Sequence, residues 1–159
     1  MPVSRFEVTS VVAAPPAEVW RRISTMAGVN AELGPIFRMT YPPHVDTLSP
    51  ADVVPGERLF RSWVLLFGIL PVDYDDLTLV EVRPGVGFQE SSPMLSQRRW
   101  DHERVLEAVP GGCRVTDRIA FEPRVAWLAP LYRVILPAMF RHRHRRLRAA
   151  FGDAEPRSR

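Results

Sequence analysis

The chain has 159 residues, 46% of them apolar and 25% charged, which is the balance of an ordinary globular protein and a length suited to one domain. All 21 basic residues are arginine, so Schiff-base catalysis and the phosphate-binding lysine of a P-loop are both excluded. Cys113 stands alone, so no disulfide can form within the chain, which fits a reducing cytoplasm.

The first ten residues, MPVSRFEVTS, hold no apolar core of the kind a signal peptide needs. Residues 5–13 (RFEVTSVVA) read as a first strand. In PPAEVWRRIST the prolines sit where a first helical turn accepts them, and Trp20 and Ile23 share a face. A second short helix is expected over 26–33, ended by Gly34-Pro35. Strand character resumes at 36–41, and the proline-rich stretch 42–56 reads as a surface loop.

Pro55-Gly56, Pro84-Gly85 and Pro110-Gly111-Gly112 then punctuate a series of strands at 57–67, 72–83, 86–92, 97–109 and 112–123. The apolar run 63–72 (WVLLFGILPV) is too short to cross a membrane, which takes ~20 residues. A soluble, cytoplasmic protein is expected. From Trp127 to Phe151 the apolar residues recur with helical spacing, with Gly152 as the stop. Pro137 falls inside this pattern and predicts a kink, or two helices meeting. The expected domain spans 1–152, followed by a disordered tail at 153–159. Consecutive turn-linked strands make an antiparallel sheet, and only the C-terminal helix is long enough to cover one face of it.

Three stretches together resemble the START-like, or SRPBCC, superfamily of the polyketide cyclase/dehydrase type. They are AAPPAEVWRRIST after the first strand, the strands carrying Phe88-x-Glu90, Trp100-x-His102-x-Arg104 and Val115-Thr116-Asp117-Arg118-Ile119, and the terminal helix with Phe140, Arg143 and Leu147. One departure is Leu95-Ser96, where relatives often carry Gly-Pro. The resemblance implies an α+β helix-grip fold: a curved antiparallel β-sheet wrapped around a long C-terminal α-helix, with two short helices after the first strand. It also implies a deep, largely apolar cavity between that helix and the sheet.

Strand alternation decides which side chains face inward. On 97–109 the apolar parity carries Trp100, His102, Arg104 and Leu106; on 112–123 it carries Val115, Asp117 and Ile119; Phe88 and Glu90 join them. Burying these charges unpaired costs several kcal/mol, so they must pair with one another or hold a polar ligand group. Trp63, Leu65 and Phe67 alternate on one strand and are expected as core or cavity wall, with the Tyr74 hydroxyl as a handle. The expected ligand site is therefore Trp63, Tyr74, Phe88, Glu90, Trp100, His102, Arg104, Val115, Asp117, Ile119, Leu136 and Phe140.

The leading expectation is a binding protein for a hydrophobic molecule such as a lipid, polyketide, isoprenoid or aromatic. The alternative is a polyketide cyclase or aromatase on the same cavity, with His102, Asp117 and Glu90 as candidate catalytic groups. Five arginines crowd residues 141–148; removing them from the formal charge of +3 leaves the rest near −2. Without interleaved aromatic residues they do not read as a nucleic-acid site, although Arg141, Arg145, Arg146 and Arg148 suit an anionic membrane surface. The apolar tip 67–70 is a cavity rim, a dimer contact or a membrane contact. His142 and His144 lie ~200° apart on a helix and cannot share an ion; no metal or cofactor is expected.

Overall fold

The structure is a computed structural model and describes residues 2–154. A seven-stranded antiparallel sheet curls around one long helix. Strand β1 (Ser4–Val12) is followed by helices α1 (Pro16–Ile23) and α2 (Met26–Leu33). Strands β2 (Phe37–Met39), β3 (Arg58–Leu66), β4 (Leu70–Arg83), β5 (Gly87–Ser92), β6 (Gln97–Val109) and β7 (Gly112–Pro123) follow, and α3 (Ala129–Phe151) ends the fold after a single 3₁₀ turn at Ala126–Leu128. The sheet order is β1-β7-β6-β5-β4-β3-β2, so the first strand is zipped to the last.

Local chemistry accounts for these elements. Helix α1 starts with Pro16 in its first turn and Glu18 near its positive end. Helix α2 is capped by the Thr25 hydroxyl, which accepts from the Gly28 N–H at 2.9 Å. The Asn30 side chain ties α2 to β2, taking the Met39 N–H at 2.7 Å and giving to the Met39 carbonyl at 3.0 Å. Gly87 at the head of β5 has φ 154°, and a Cβ there would stand 2.0 Å from the Arg104 carbonyl oxygen. Its missing side chain is what lets β5 lie close to β6.

Pro137 lies inside one helical element, 129–151, and does not divide it into two. Leu136 before Pro137, and Phe140 and Leu147 after it, are all buried, so packing on both sides of the proline holds the element together despite the lost hydrogen bond. Of the tail expected at 153–159, residues 155–159 lie outside the described residues. Asp153 bridges to Val12, and the Ala154 N–H reaches the Val11 carbonyl at 3.4 Å.

The interior divides into three apolar groups. One, around Val12, Val19, Ile23, Val115 and Leu147, closes the α1 end. A second comprises Met26, Leu48, Phe60, Leu77, Leu79 and Phe88. The third, Trp100, Ile119, Phe121, Leu136 and Phe140, joins α3 to the middle strands.

Candidate functional site

Between the second and third apolar groups lies a cavity of about 390 Å³. Met26, Val29 and Leu33 of α2, Val64 and Leu66 of β3, Leu77 and Leu79 of β4, and Leu136 and Met139 of α3 form its apolar wall, with Phe88 and Trp100. Its polar lining comes from Asp73, Asp75, Glu90, Ser96, Gln97, His102 and Arg143. Val72, Leu131 and Ile135 both line it and are 43%, 51% and 41% exposed, so the mouth opens between the first half of α3 and the β3–β4 hairpin. A larger but open depression of about 610 Å³ crosses the outer sheet face, where Arg118 pairs with Glu7 at 3.0 Å and Glu103 at 2.9 Å. Those charges satisfy one another and enclose nothing.

Behind the cavity wall runs a buried ionic network. Arg104 and Asp117 face each other across β6 and β7, and Arg104 gives Nε to Oδ1 at 2.8 Å and Nη2 to Oδ2 at 2.7 Å. The other edge of the same guanidinium forks onto Glu32 of α2, Nη1 to Oε2 at 3.0 Å and Nη2 to Oε1 at 2.8 Å. Arg143 adds Nε to Glu32 Oε1 at 3.2 Å. Two histidines complete Asp117: His102 Nε2 at 2.7 Å from Oδ1 and His144 Nε2 at 2.7 Å from Oδ2. Each must donate, since a carboxylate only accepts. His144 Nδ1 meets the Ser10 hydroxyl at 2.6 Å, and Ser10 in turn accepts from Arg148 at 2.9 Å.

The electrostatics follow from these contacts. Burial pushes the Asp117 carboxyl up, but the charges of Arg104 and His102 overcome it and hold the group well below the usual carboxylate range. Glu32 is likewise raised by burial and lowered further by Arg104 and Arg143, ending below its ordinary value. Glu90 ends low as well: burial raises it, and hydrogen bonding with His102 and Asp75 outweighs that. Asp75 goes the other way, driven well above the ordinary range first by burial and then by the Glu90 charge beside it. Asp73 is raised by burial in spite of its bonds with Ser96.

The structure brings Phe88, Glu90, Trp100, His102 and Leu136 together on the cavity wall. It places Arg104 and Asp117 one layer behind, where they hold His102 and Glu32 rather than the cavity surface. Ile119 and Phe140 back the wall within the third apolar group, Phe140 lying edge-on to the His102 ring at 5.1 Å. Val115 belongs to the group at the α1 end.

Two expectations are corrected. Trp63 is 41% exposed and packs edge-on against Tyr74, centroids 5.4 Å apart, on the outer face of the sheet. There Arg61 stacks over the Tyr74 ring at 4.0 Å. Phe60, Ser62, Val64 and Leu66 carry the inward parity of β3 instead. The run WVLLF is apolar on both parities, so alternation could not choose between them, and the strand carries a register shift between Val64 and Leu65.

The residues missed by sequence reasoning are Glu32, Asp75, Gln97, His144 and Ser10. Only Asp75 had a signal, its period-two spacing with Leu77 and Leu79. Glu32, His144 and Ser10 find their partners across long stretches of chain, and Gln97 sits at the register shift where β6 begins. Of the arginines in 141–148, Arg143 is buried, Arg148 half-buried, and Arg141, Arg145 and Arg146 exposed, Arg146 giving to the Ala31 carbonyl at 3.0 Å. His142 and His144 turn to different partners, His142 to the Gly34 carbonyl at 2.8 Å. Among the described residues no helix is long and apolar enough to cross a membrane.

A family model described as a domain of unknown function (DUF8410) matches residues 10–151. No curated protein matches the chain by sequence. Among solved structures, protein CV1439 from Chromobacterium violaceum is 15% identical with a TM-score of 0.67, over 93% of this chain and 97% of that one. A START superfamily protein from Mycobacterium smegmatis is 8% identical with a TM-score of 0.64, over 92% and 96%. DynU16, from the dynemicin biosynthetic locus, is 14% identical with a TM-score of 0.58, over 95% of this chain and 49% of that one. At these identities the likeness is one of fold, and that fold is the START-like helix-grip.

Proposed function

The chain belongs to the DUF8410 family and has a START-like helix-grip fold, and on that premise we propose that it binds a hydrophobic small molecule between the sheet and α3. The observation that carries this reading is the cavity itself. Its volume of about 390 Å³ falls within the ~300–1,000 Å³ usual for small-molecule sites, and aliphatic, methionine and aromatic side chains dominate its wall. Seven polar side chains interrupt that wall, and two of them, Asp75 and Gln97, keep a buried oxygen with no partner among the described residues. Lipid, polyketide, isoprenoid and aromatic molecules all fit that description. The lone, buried Cys113 supports a cytoplasmic setting.

The test is native mass spectrometry on freshly purified protein, with solvent extraction of bound material and titration with Nile red. A stoichiometric apolar adduct, or saturable dye uptake that the extract displaces, is the expected result. No adduct together with no dye uptake sinks the reading.

A second reading, an enzyme of the cyclase or aromatase kind, is favoured by one observation. His102 lines the cavity with Nε2 committed to Asp117 and Nδ1 3.8 Å from Glu90 Oε2, the arrangement of a positioned acid–base group. In that case Asp117 orients His102, and Glu90 and His102 are the groups that meet the ligand. Loss of turnover in His102→Ala with ligand affinity retained would separate enzyme from carrier.

A further inference from the structure

Asp75 and Glu90 stand on neighbouring strands, β4 and β5, and both line the cavity, where each carboxyl acts on the other's ionisation. They are 4% and 8% exposed. The hydrogen bonds around them run mostly to other groups. The Ser92 hydroxyl gives its one proton to Glu90 Oε1 at 2.8 Å while accepting from the Thr78 N–H at 3.0 Å. The His102 Nε2 proton goes to Asp117, and its Nδ1 faces Glu90 from 3.8 Å. Arg143 of α3 spends its Nε on Glu32, and Arg104 divides its fork between Glu32 and Asp117. Asp73, the next acid along β4, accepts from the Ser96 N–H at 3.0 Å and from the Ser96 hydroxyl. Among the described residues Asp75 Oδ1 meets no donor.

Two adjoining buried carboxylates oppose each other's ionisation, and His102, the nearest group that can carry positive charge, sits beside Glu90 and already gives Nε2 to Asp117. We propose that Asp75 and Glu90 hold one proton between them at neutral pH and form the acid–base pair of this cavity, suited to a ligand that carries a ketone. The inference rests on the cavity being the ligand site and goes beyond it by naming the reacting groups and the functional group they act on. The proton sits on Asp75 and points to Glu90, since burial and the Glu90 charge favour the neutral acid there. Proton transfer to a bound ketone then balances without a cofactor. Asp75 gives its proton to the carbonyl oxygen, Glu90 takes one from the carbon beside it, and the pair again holds one proton while the ligand becomes its enol.

Two measurements test this. Infrared difference spectroscopy at pH 7 is expected to show the carbonyl stretch of a protonated carboxylic acid, lost in Asp75→Asn; no such band overturns the shared proton. The second probe is 2-tetralone, an apolar ketone, in D₂O. Wild-type protein is expected to exchange its α-hydrogens about a hundredfold faster than Glu90→Gln or Asp75→Asn protein. Nile red displacement by tetralone reports binding separately. Tetralone bound but exchanging no faster than with the variants overturns the acid–base role and leaves ligand binding standing. Neither dye nor tetralone bound overturns both.

Discussion

Arg104 and Asp117 lie directly opposite each other on β6 and β7 and close a two-pronged ion pair, 2.8 Å and 2.7 Å, with both side chains shielded from solvent. Such a pair earns little by comparison with two apolar residues, but half of it alone is costly. Arg104→Met strands Asp117 and Glu32 together, and Asp117→Asn leaves Arg104 short of charge. Each is expected to cost about 3–5 kcal/mol in urea unfolding. A loss under 1 kcal/mol in Arg104→Met would mean the network is not closed as described.

Acid should unfold the protein through this same network. Asp117 and Glu32 have folded-state pKa values below their ordinary ones, so their stabilisation is fully present above the ordinary carboxylate range. It is lost as pH falls through that range toward their folded values. The unfolding free energy is therefore expected to fall steeply below about pH 4, since each group contributes at most ~1.4 kcal/mol per pH unit. A flat profile from pH 6 to 3 contradicts the assignment.

Asp75 has the opposite sign. Its folded pKa is raised, so the folded state loses stability as pH rises from the ordinary carboxylate value toward the folded one. Asp75→Asn keeps the shape and cannot ionise. It is expected to raise the urea midpoint at pH 7 and to leave it unchanged at pH 3. Equal effects at both pH values would show packing rather than charge.

The strands were legible in the sequence because Pro-Gly and Gly-Gly turns bracket them, and the inner face of β6 because Arg99, Asp101 and Glu103 mark its outer one. On β3 the run 63–67 is apolar on both parities, and the alternation of Trp63, Leu65 and Phe67 outweighed Arg61, whose charge marks that parity as the outer one. The partners of the ionic network were beyond reach for a different reason. Glu32 sits on a helix 72 residues from Arg104, and His144 lies 27 residues after Asp117. A buried carboxylate in a helix sequence looks like a solvated one until the sheet arrives beneath it.

Leu136 projects from α3 into the cavity and is buried at 9% exposure. Leu136→Trp is expected to occupy the space a ligand would take. Nile red uptake should fall more than tenfold, while stability changes by less than about 1.5 kcal/mol because the cavity absorbs the added volume. Undiminished uptake would place the dye elsewhere.

Large apolar side chains are exposed on the β3–β4 turn, Phe67 at 68% and Ile69 at 82%, and around the start of α3, Trp127 at 79% and Val134 at 68%. With Arg141 and Arg145 also exposed, these residues are the ones expected to touch an anionic bilayer. Ile69→Ser with Trp127→Ser should cut co-sedimentation with phosphatidylserine vesicles several-fold and leave unfolding unchanged. Wild-type protein that does not pellet at all removes the membrane from consideration.

The pairing of β1 with β7 sets a timetable for synthesis. Phe6 sits across from Ile119, and Ser10 across from Val115. At ~5–20 residues per second, the ribosome needs on the order of ten seconds to deliver the partner of a strand it made first. Through that interval β1 has no ladder to join, and Phe6, Val8 and Val12 have no core to enter. A nascent chain stalled before residue 112 therefore displays a sticky, unpaired β-segment, and a holdase chaperone would find its substrate there.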